Sequence, residues 1–311
     1  MTRHLATVLL FLSGAPLAAS FSVMINGMPG PMAVAAAEAS LRKGLTLAPF
    51  GLTGPDVPPQ DYTVTDPDTQ RSQVVRLCPS SDPELVAGEL AKVFKRTGDV
   101  IAIDYTHPSA VNANGKWYVK NRIPFVMGTT GGDRAGLMKT VEDGKHYAVI
   151  APNMGKQIVA MQYALESLAL KFPSSFGGYN LEVKESHQKT KADTSGTAIA
   201  VINSIKGLVG AEKEEEFDIE KDIQMLRSDR ESLDFGVPKE ALKGHAFHTY
   251  TLTSPDGSVE FELKHNVCGR RVYAEGTADA VKFLARECEK NGEAGGKNYD
   301  MVDVLQAGAL A

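Results

Sequence analysis

The sequence has little cysteine, no excess of positive charge and no long apolar run. Its three cysteines, Cys78, Cys268 and Cys288, are an odd number at wide spacing. They form neither a disulfide framework nor a Cys-x-x-Cys metal pair, so we expect reduced thiols. The net charge of −5 provides no general basic field for nucleic acid. Outside the N-terminal segment, no stretch is apolar enough over sufficient length to cross a membrane.

The rest of the composition is that of a soluble globular protein. Of the 311 residues, 43% are hydrophobic and 23% are charged. The length predicts about two domains of roughly 150 residues, each with ample core.

The first twenty residues, "MTRHLATVLLFLSGAPLAAS", have a basic start, a short apolar run and small residues at the end. This is the layout of a secretory signal peptide. A leader of this kind followed by Phe21 is also similar to the plastid-targeting leaders of algae with complex plastids, although no serine-rich transit segment follows. An apolar N-terminal extension or a misassigned start is the alternative. A plastid is the favoured location, and the cytoplasm is the alternative if the leader has no function.

"FSVMINGMPGPMAVAAAEASLRKG" predicts a strand, a glycine turn and a helix ending at Gly44. This is the opening of a dinucleotide-binding unit, in which glycines allow the backbone to approach a pyrophosphate at a helix N-terminus. The motif is G-x-x-G-x-M rather than G-x-G-x-x-G, and a plain strand–helix turn fits it equally well. Pro31 suits the first helical turn but removes one N–H group.

Strands and helices continue to alternate, which predicts a parallel, doubly wound sheet. We expect a second strand over 45–49, loop or edge-strand material over 53–72, a helix over 82–99, and strands within "DVIAIDYT", "IPFVMGTTGG" and "HYAVIAPN". Three strand ends, "NGMPGPM", "MGTTGG" and "APNMGK", are small and polar. Because ligands bind at the carboxyl ends of such strands, these ends together favour a cofactor crevice.

The second half is predicted to be more antiparallel. A long helix over 153–172 leads to the strand "YNLEVKES" and the helix "TAIAVINSIKGLVG". "HAFHTYTLTS" and "VEFELKHNVCG", joined by "PDG", indicate a hairpin. The acidic run 212–222 is typical of a solvated surface. A helix over 275–290 and "YDMVDVLQAG" close the chain.

"ESHQKTKADTSGTA", residues 185–198, carries the most specific chemistry. Asp193 and Thr194 are good N-cap types ahead of a helix. The N–H groups around Ser195, Gly196 and Thr197 would then bind a carboxylate or phosphate. The segment also places His187, able to titrate near neutrality, and the cations Lys189 and Lys191 beside that site. Together these groups suit an anionic substrate that must receive a proton.

Several alternatives stay open for this segment. His187 could be a surface histidine, the lysines could be solvated, and the site could bind phosphate without chemistry. "TSGTA" does not match the G-x-S-x-G motif of serine hydrolases. A zinc site built from His245, His248, His265 and Cys268 is disfavoured, because their spacing matches no standard zinc pattern and an i, i+3 pair on a strand points to opposite faces. We expect no metal.

The sequence resembles the 4-hydroxy-tetrahydrodipicolinate (dihydrodipicolinate) reductases of lysine biosynthesis. "ESHQKTKADTSGTA" is similar to the family signature, and "VIAIDYTHPSAV", "PFVMGTTGGDR", "YAVIAPNMGKQIV", "GHAFHTYTLTSPDGSVEFELKHNVCGRRVYAEGTADAV" and "YDMVDVL" resemble its plant-type branch. The resemblance covers nearly everything after residue 20.

The resemblance implies an α/β fold: a Rossmann-like domain with a doubly wound parallel sheet, and a C-terminal α+β domain with a mixed sheet. The first domain spans 21–152, with 276–311 returning to it, and 153–275 binds substrate and builds a homo-oligomer, a tetramer or dimer. The implied reaction is NAD(P)H-dependent reduction of dihydrodipicolinate, a cyclic dicarboxylate formed from 4-hydroxy-tetrahydrodipicolinate, to tetrahydrodipicolinate. An inactive NAD(P)-binding regulatory relative and an unrelated secreted binding protein are the alternatives.

Matching the motifs assigns residues to roles. His187 and Lys191 are implied as the proton-transfer groups, and Gln188, Gly196 and Thr197 as substrate-binding residues. The residues implied in cofactor binding are Gly27, Met28, Pro29, Gly30, Pro31, Met32, Gly128, Thr129, Thr130, Ala151, Pro152, Asn153 and Met154.

The chain departs from the family pattern at a few positions. Gln188 stands where bacterial members have a second histidine, and Pro31, Met32 and Ala33 replace a basic residue followed by Met-Gly. No acidic residue ends the predicted second strand, so NADPH is at least as well suited as NADH. Thr53 could meet a 2′-phosphate, but no arginine accompanies it, and the choice of cofactor stays open.

Overall fold

A six-stranded parallel sheet forms the centre of the N-terminal half. The computed structural model describes residues 21–191, 193–210, 217–219, 221–292 and 295–308. The strands of this sheet are β1 (Ser22–Asn26), β2 (Thr46–Leu47), β6 (Val100–Asp104), β7 (Phe125–Met127), β8 (Ala148–Ile150) and β13 (Asn298–Tyr299). Their order is β13-β8-β7-β6-β1-β2, and every neighbouring pair is parallel. The predicted doubly wound sheet is therefore confirmed.

Helices cover both faces of this sheet, as its sequence pattern requires. They are α1 (Pro31–Arg42), α2 (Pro83–Val93), α3 (Val111–Lys120), α4 (Arg134–Asp143), α8 (Arg271–Asn291) and α9 (Met301–Gln306). Successive residues of a strand point to opposite faces, so Ile101 and Ile103 enter one hydrophobic cluster and Val100 and Ala102 enter the other. Continuous burial explains why these strands are apolar runs rather than alternating sequences.

A separate three-stranded sheet lies beside β1. It contains β3 (Phe50–Thr53), β4 (Gln60–Thr65) and β5 (Ser72–Pro79), in the order β3-β5-β4. The predicted strand over 45–49 contains β2 but is too long, and the residues after Pro49 are not a loop, because β3 begins at Phe50 in a different sheet. β3 also contacts the glycine turn that follows β1, because the amide of Gly27 donates to the backbone carbonyl of Leu52.

The C-terminal half contains a mixed sheet packed against helices. Its strands are β9 (Asn180–His187), β10 (Ile223–Leu226), β11 (His245–Thr253) and β12 (Glu260–Cys268), in the order β10-β9-β11-β12. β10 runs parallel to β9, whereas the pairs β9–β11 and β11–β12 are antiparallel, so the predicted hairpin is confirmed. The accompanying helices are α5 (Lys156–Lys171), α6 (Gly196–Val209) and α7 (Asp229–Asp234), of which α5 and α6 pack together.

The end of the chain lies against the N-terminal half. β13 pairs with β8, and α8 packs on α1 through Ala274 and Ala278. A side chain at Gly276 would collide with the carbonyl of Met154, so glycine allows α8 to approach the turn after β8 closely. Among the described helices, none has the length and apolar character needed to span a membrane. The leader, and residues 212–216 and 220 of the acidic run, lie outside the described residues.

Candidate active site

The three small, polar turns meet around one cavity at the carboxyl edge of the six-stranded sheet. The cavity has a volume of about 340 Å³. Its lining from the predicted set consists of Met32, Gly128, Thr129, Thr130, Pro152, Asn153 and Met154. Tyr105, Thr106, Pro108 and Tyr273 complete the lining, and the sequence interpretation missed these four.

The glycine turn has the backbone that close approach requires. Gly27 has a φ of +102°, and a Cβ there would collide with the carbonyl of Tyr105. Gly30 is the N-cap of α1, and Pro31 occupies the first turn as predicted. Met28 is fully buried, the Met28–Pro29 peptide is cis, and Pro29 is exposed. Met32, in the first turn of α1, lines the cavity, so the N-terminus of α1 lies beside it.

Gly128 and Thr129 are fixed by the end of β6. Both of their amides donate to the carbonyl of Asp104, at 3.1 and 3.3 Å. A Cβ at Gly128 would collide with the ring of Tyr105, so this aromatic ring packs directly on the turn. Tyr105 shares a 2.6 Å hydrogen bond with Thr277, and burial raises the pKa of its phenol to about 12. Tyr105 is therefore a neutral wall of the cavity.

A buried network holds the floor of this edge. Tyr118 donates to the Asp104 carboxylate at 2.6 Å and accepts from the Asn26 amide at 2.7 Å. The Asn26 side-chain oxygen accepts from the amide of Leu52. One set of side chains thus connects β6, α3, β1 and β3 beneath the turns.

Thr53 is unavailable to a cofactor phosphate. Its hydroxyl donates to the carbonyl of Met28 at 2.7 Å, and the residue is 4% exposed. The idea that Thr53 meets a 2′-phosphate is therefore wrong, because the hydroxyl fastens β3 to the glycine turn instead.

His187 lies at the end of β9, where the sequence placed it, but its environment differs from the expected one. The residue is buried, and its Nε2 atom is 3.3 Å from Nε2 of His248. Burial, reinforced by the proximity of His248, lowers the pKa of His187 to about 4. The expectation that His187 titrates near neutrality is wrong for the structure as described: the imidazole is neutral at pH 7.

Glu185 is a fully buried carboxylate two residues earlier on the same strand face. Burial alone would raise its pKa, but hydrogen bonds from His248, Arg227 and the Ser195 amide hold that pKa at about 2. The Arg227 guanidinium bonds one carboxylate oxygen, and the Ser195 amide donates to the other at 3.1 Å. One N–H group of the predicted anion site is therefore already occupied by Glu185.

Arg227, just after β10, shapes the signature loop. Besides Glu185, its guanidinium donates to the carbonyl oxygens of Lys191 at 2.8 Å and Asp193 at 3.3 Å. These bonds fix the path of the loop between β9 and α6. The sequence interpretation missed Arg227, which is more than thirty residues away along the chain.

The start of α6 is one residue later than the predicted caps. Ser195 is the N-cap and makes no side-chain capping bond, so the assignment of Asp193 and Thr194 as caps is wrong. A Cβ at Gly196 would meet no atom within 4 Å in the part of the chain that the structure describes. The amides of Gly196 and Thr197 belong to the first turn, where N–H groups have no intrahelical acceptor.

The remaining signature residues differ in exposure. Lys191 is largely buried and pairs with Asp193, Nζ to Oδ1, at 2.9 Å. Because the Asp193 side chain is 82% exposed, this pair is weak and readily exchanged. Gln188 is half-buried, and its backbone carbonyl accepts from the backbone amide of Lys191. Lys189 is exposed.

The two predicted halves of the site touch through Asn153 and Thr197. The side-chain amide of Asn153, which lines the cavity, donates to the Thr197 hydroxyl at 3.0 Å. Asn153 also accepts from the Gly155 amide at 2.8 Å, which orients it. The cofactor cavity and the first turn of α6 are therefore adjacent.

Glu185, His187 and His248 place their potential metal-ligating atoms within 4.8 Å of one another. Glu185 already bonds Arg227 and Ser195, and cationic Arg227 opposes a second positive charge. Both features disfavour a metal ion at this cluster. Within the hypothetical zinc set, His245 and His248 point to opposite faces, as their i, i+3 spacing predicts: His245 bonds Ser186 on one face of the sheet, while His248 meets His187 on the other.

Two family models match consecutive parts of the chain. "Dihydrodipicolinate reductase, N-terminus" matches residues 21–154, and "Dihydrodipicolinate reductase, C-terminus" matches residues 157–305.

Similar proteins include a probable 4-hydroxy-tetrahydrodipicolinate reductase 1, chloroplastic, of Oryza sativa subsp. japonica, 46% identical over 95% of this chain and 82% of that protein. The 4-hydroxy-tetrahydrodipicolinate reductase 1, chloroplastic, of Arabidopsis thaliana is 45% identical over 93% of this chain and 79% of that protein. A dipicolinate-bound dihydrodipicolinate reductase from Paenisporosarcina sp. TG-14 has a similar fold, with a TM-score of 0.58 and 18% identity over 90% of this chain and 97% of that one.

Proposed function

The chain belongs to the dihydrodipicolinate reductase family, and we propose that it reduces dihydrodipicolinate to tetrahydrodipicolinate through the site described above. It is an oxidoreductase of the diaminopimelate route to lysine and uses NADH or NADPH. The observation that carries this conclusion is that both family models match, leaving neither half of the chain unaccounted for. The comparisons give no support to an inactive relative or an unrelated secreted binding protein.

The cavity fits a nicotinamide cofactor. Gly27 allows the backbone approach that a pyrophosphate needs, and the N-terminus of α1 supplies a positive dipole end beside it. When bound, the cofactor supplies the hydride. Thr129, Asn153 and the rings of Tyr105 and Tyr273 would hold and shield the bound group.

The substrate carries two carboxylates. We assign one of them to the first turn of α6, where the Gly196 and Thr197 amides are available and no side chain blocks the approach. Lys191 can exchange Asp193 for the substrate, and half-buried Gln188 can donate a neutral hydrogen bond to the other carboxylate. Helix end and ammonium together stabilise the negative charge that develops on the ring during reduction.

His187 becomes a proton donor when the substrate binds. The structure holds its imidazole neutral, because charge on it is costly in this buried position beside His248 and Arg227. A bound dianion reverses that balance by favouring the imidazolium. Substrate binding would therefore load His187 with the proton that Lys191 or solvent supplies.

The mixed sheet supports assembly into a homo-oligomer. β12 is an edge strand, and both Phe261 on it and Val259 just before it expose large apolar side chains, at 49% and 41%. Such an edge pairs readily with a second copy. We propose a dimer or tetramer in which the 153–275 part forms the contact between subunits through the β12 edge. Residues 21–152 and the returning 276–311 would bind the cofactor.

The plant relatives are named chloroplastic, and we extend a plastid location to this chain. The leader, residues 1–20, would direct it there. Mass analysis of the mature N-terminus from cells tests this: cleavage near residue 20 supports it, and an intact N-terminus in the cytosol opposes it.

The reaction itself is tested by a coupled assay. A synthase supplied with pyruvate and aspartate semialdehyde generates the substrate, and loss of absorbance by the reduced cofactor follows its reduction. We expect turnover with NADH, NADPH or both. Cofactor binding without turnover would revive the inactive-relative alternative.

A further inference from the structure

Two buried imidazoles meet at the end of β9. Nε2 of His187 and Nε2 of His248 are 3.3 Å apart, and the ring planes are inclined by 72°. His187 is 8% exposed and His248 is 1% exposed. At this separation one nitrogen must carry a hydrogen and the other must present its lone pair, because two N–H groups or two lone pairs would repel.

Glu185 determines which nitrogen carries the hydrogen. Its Oε2 atom lies 3.4 Å from the same Nε2 atom of His248. Arg227 and the Ser195 amide keep this buried carboxylate ionised and in place. A lone pair on His248 Nε2 would face a negative oxygen, whereas an N–H group there is stabilised by it.

The other tautomer of His248 is doubly unfavourable. Its Nδ1 atom is buried and has no hydrogen-bond partner among the residues that the structure describes. A hydrogen on Nδ1 would leave an unpaired N–H in the interior and, at the same time, turn the Nε2 lone pair toward Glu185. His248 therefore carries its hydrogen on Nε2 and directs it between Glu185 and His187.

Aromatic packing keeps His248 in this orientation. Its ring stacks on that of His265, its cross-strand partner, with centroids 4.5 Å apart and planes inclined by 21°. Nε2 of His265 in turn lies 3.4 Å from the hydroxyl of Tyr250. The donor that faces His187 is thus held by a stack across β11 and β12.

We propose that His248 is a positioning residue of the reductase: it fills the Nε2 lone pair of His187, and so fixes the tautomer in which neutral His187 carries its hydrogen on Nδ1. The catalytic consequence rests on the proposed function: the proton that charges His187 when the substrate binds must enter at Nε2, and the His248 N–H then bonds Glu185 alone. The tautomer itself is a property of the folded protein.

Nitrogen-15 NMR of protein labelled at histidine tests the tautomer without any turnover. His187→Gln identifies the His187 signals by their loss. At neutral pH we expect a protonated Nδ1 and a bare Nε2 for His187. His248→Gln, which retains a side-chain N–H donor, should preserve this pattern, and His248→Leu should abolish it. His245→Gln is the matched control: His245 lies on the same strand but on the opposite face, and its loss should leave the His187 signals unchanged.

Kinetics then test the positioning role. We expect His248→Leu to lower kcat by roughly 10²-fold, the lower end of what general acid–base catalysis contributes. Cofactor affinity should be unchanged, and His248→Gln should recover most of the rate. A hydrogen on Nε2 of wild-type His187 would overturn the proposal, and that reading holds even if a variant fails to fold. Full kcat in a folded His248→Leu protein would overturn the positioning role, whereas absence of turnover in the wild type would contradict the proposed function and leave the tautomer result standing.

Discussion

The side-chain amide of Asn153 donates to the Thr197 hydroxyl at 3.0 Å, across 44 residues of sequence. Asn153 lines the cofactor cavity, and Thr197 belongs to the first turn of α6. This bond joins the turn after β8 to the N-terminus of α6. It places the cavity proposed for the cofactor beside the helix end proposed for a substrate carboxylate.

Thr197→Val removes that bond while retaining the shape and the backbone amide of residue 197. We expect kcat/KM for the dicarboxylate to fall about tenfold, the cost of one hydrogen bond of roughly 1.4 kcal/mol. Cofactor affinity should stay within about twofold, because Thr197 does not line the cavity. Thr194→Val is the matched control, since the Thr194 hydroxyl contacts only Met225 among the described bonds. Equal losses in the two variants would contradict a specific role for Thr197.

Two glycines should respond differently to alanine. At Gly196 a Cβ would meet no atom of the described residues within 4 Å, so Gly196→Ala should fold normally, keep its cofactor affinity and raise KM for the substrate alone. At Gly27, with its φ of +102° and its contact with Tyr105, alanine should weaken cofactor binding and stability together. Cofactor titration measures the affinity of each variant, and thermal unfolding measures its stability. An unchanged KM in Gly196→Ala would argue against a carboxylate at α6.

Arg227→Gln should destabilise the protein strongly. It leaves the fully buried Glu185 carboxylate without its cationic partner, a change that costs about 3 kcal/mol. Because the pKa of Glu185 is lowered to about 2 in the fold, its stabilising contribution is present above pH 4.5 and is lost as the pH falls toward 2. In Arg227→Gln the pKa of Glu185 in the folded state should rise, so this loss should be smaller and should be complete at a higher pH. Urea unfolding at several pH values checks both effects, with exposed Arg230→Gln as control.

Binding of a dianion should be accompanied by proton uptake. His187, facing His248, Glu185, Arg227 and Lys191, has a pKa lowered to about 4 from 6.5, so it is neutral near pH 6 in the protein. Dipicolinate should raise that pKa and draw a proton from solvent. Calorimetric titrations in buffers of different ionisation enthalpy measure the uptake, which His187→Gln should abolish. Undiminished uptake in that variant would assign the proton to another group.

Much of the fold could be predicted because the periodicity is local. Strands buried on both faces are apolar runs, and the turns after β1, β7 and β8 are marked by glycine, proline and asparagine. β5 escaped prediction because its residues, from Ser72 onward, alternate irregularly in burial. β3 was not predicted, because no local signal shows that the chain enters a different sheet at Phe50.

The site was predicted in outline, since His187, Lys191, Gly196 and Thr197 stand in one short segment. The electrostatics were not, because they depend on partners brought in by other strands. The pKa of His187 is set by burial and by His248, sixty-one residues away, and the loop path is set by Arg227. Sequence spacing does reveal that His245 and His248 face opposite sides of β11, but not what each one meets.

The measurement that tests the account most directly is the coupled assay on His187→Ala and Lys191→Ala, combined with fluorescence titration of the reduced cofactor. We expect each substitution to lower kcat by roughly 10²- to 10⁴-fold, the range of general acid–base catalysis, while cofactor affinity stays unchanged. Turnover near the wild-type rate in either variant, or loss of cofactor binding in both, would contradict the assignment of His187 and Lys191 as the proton-transfer pair.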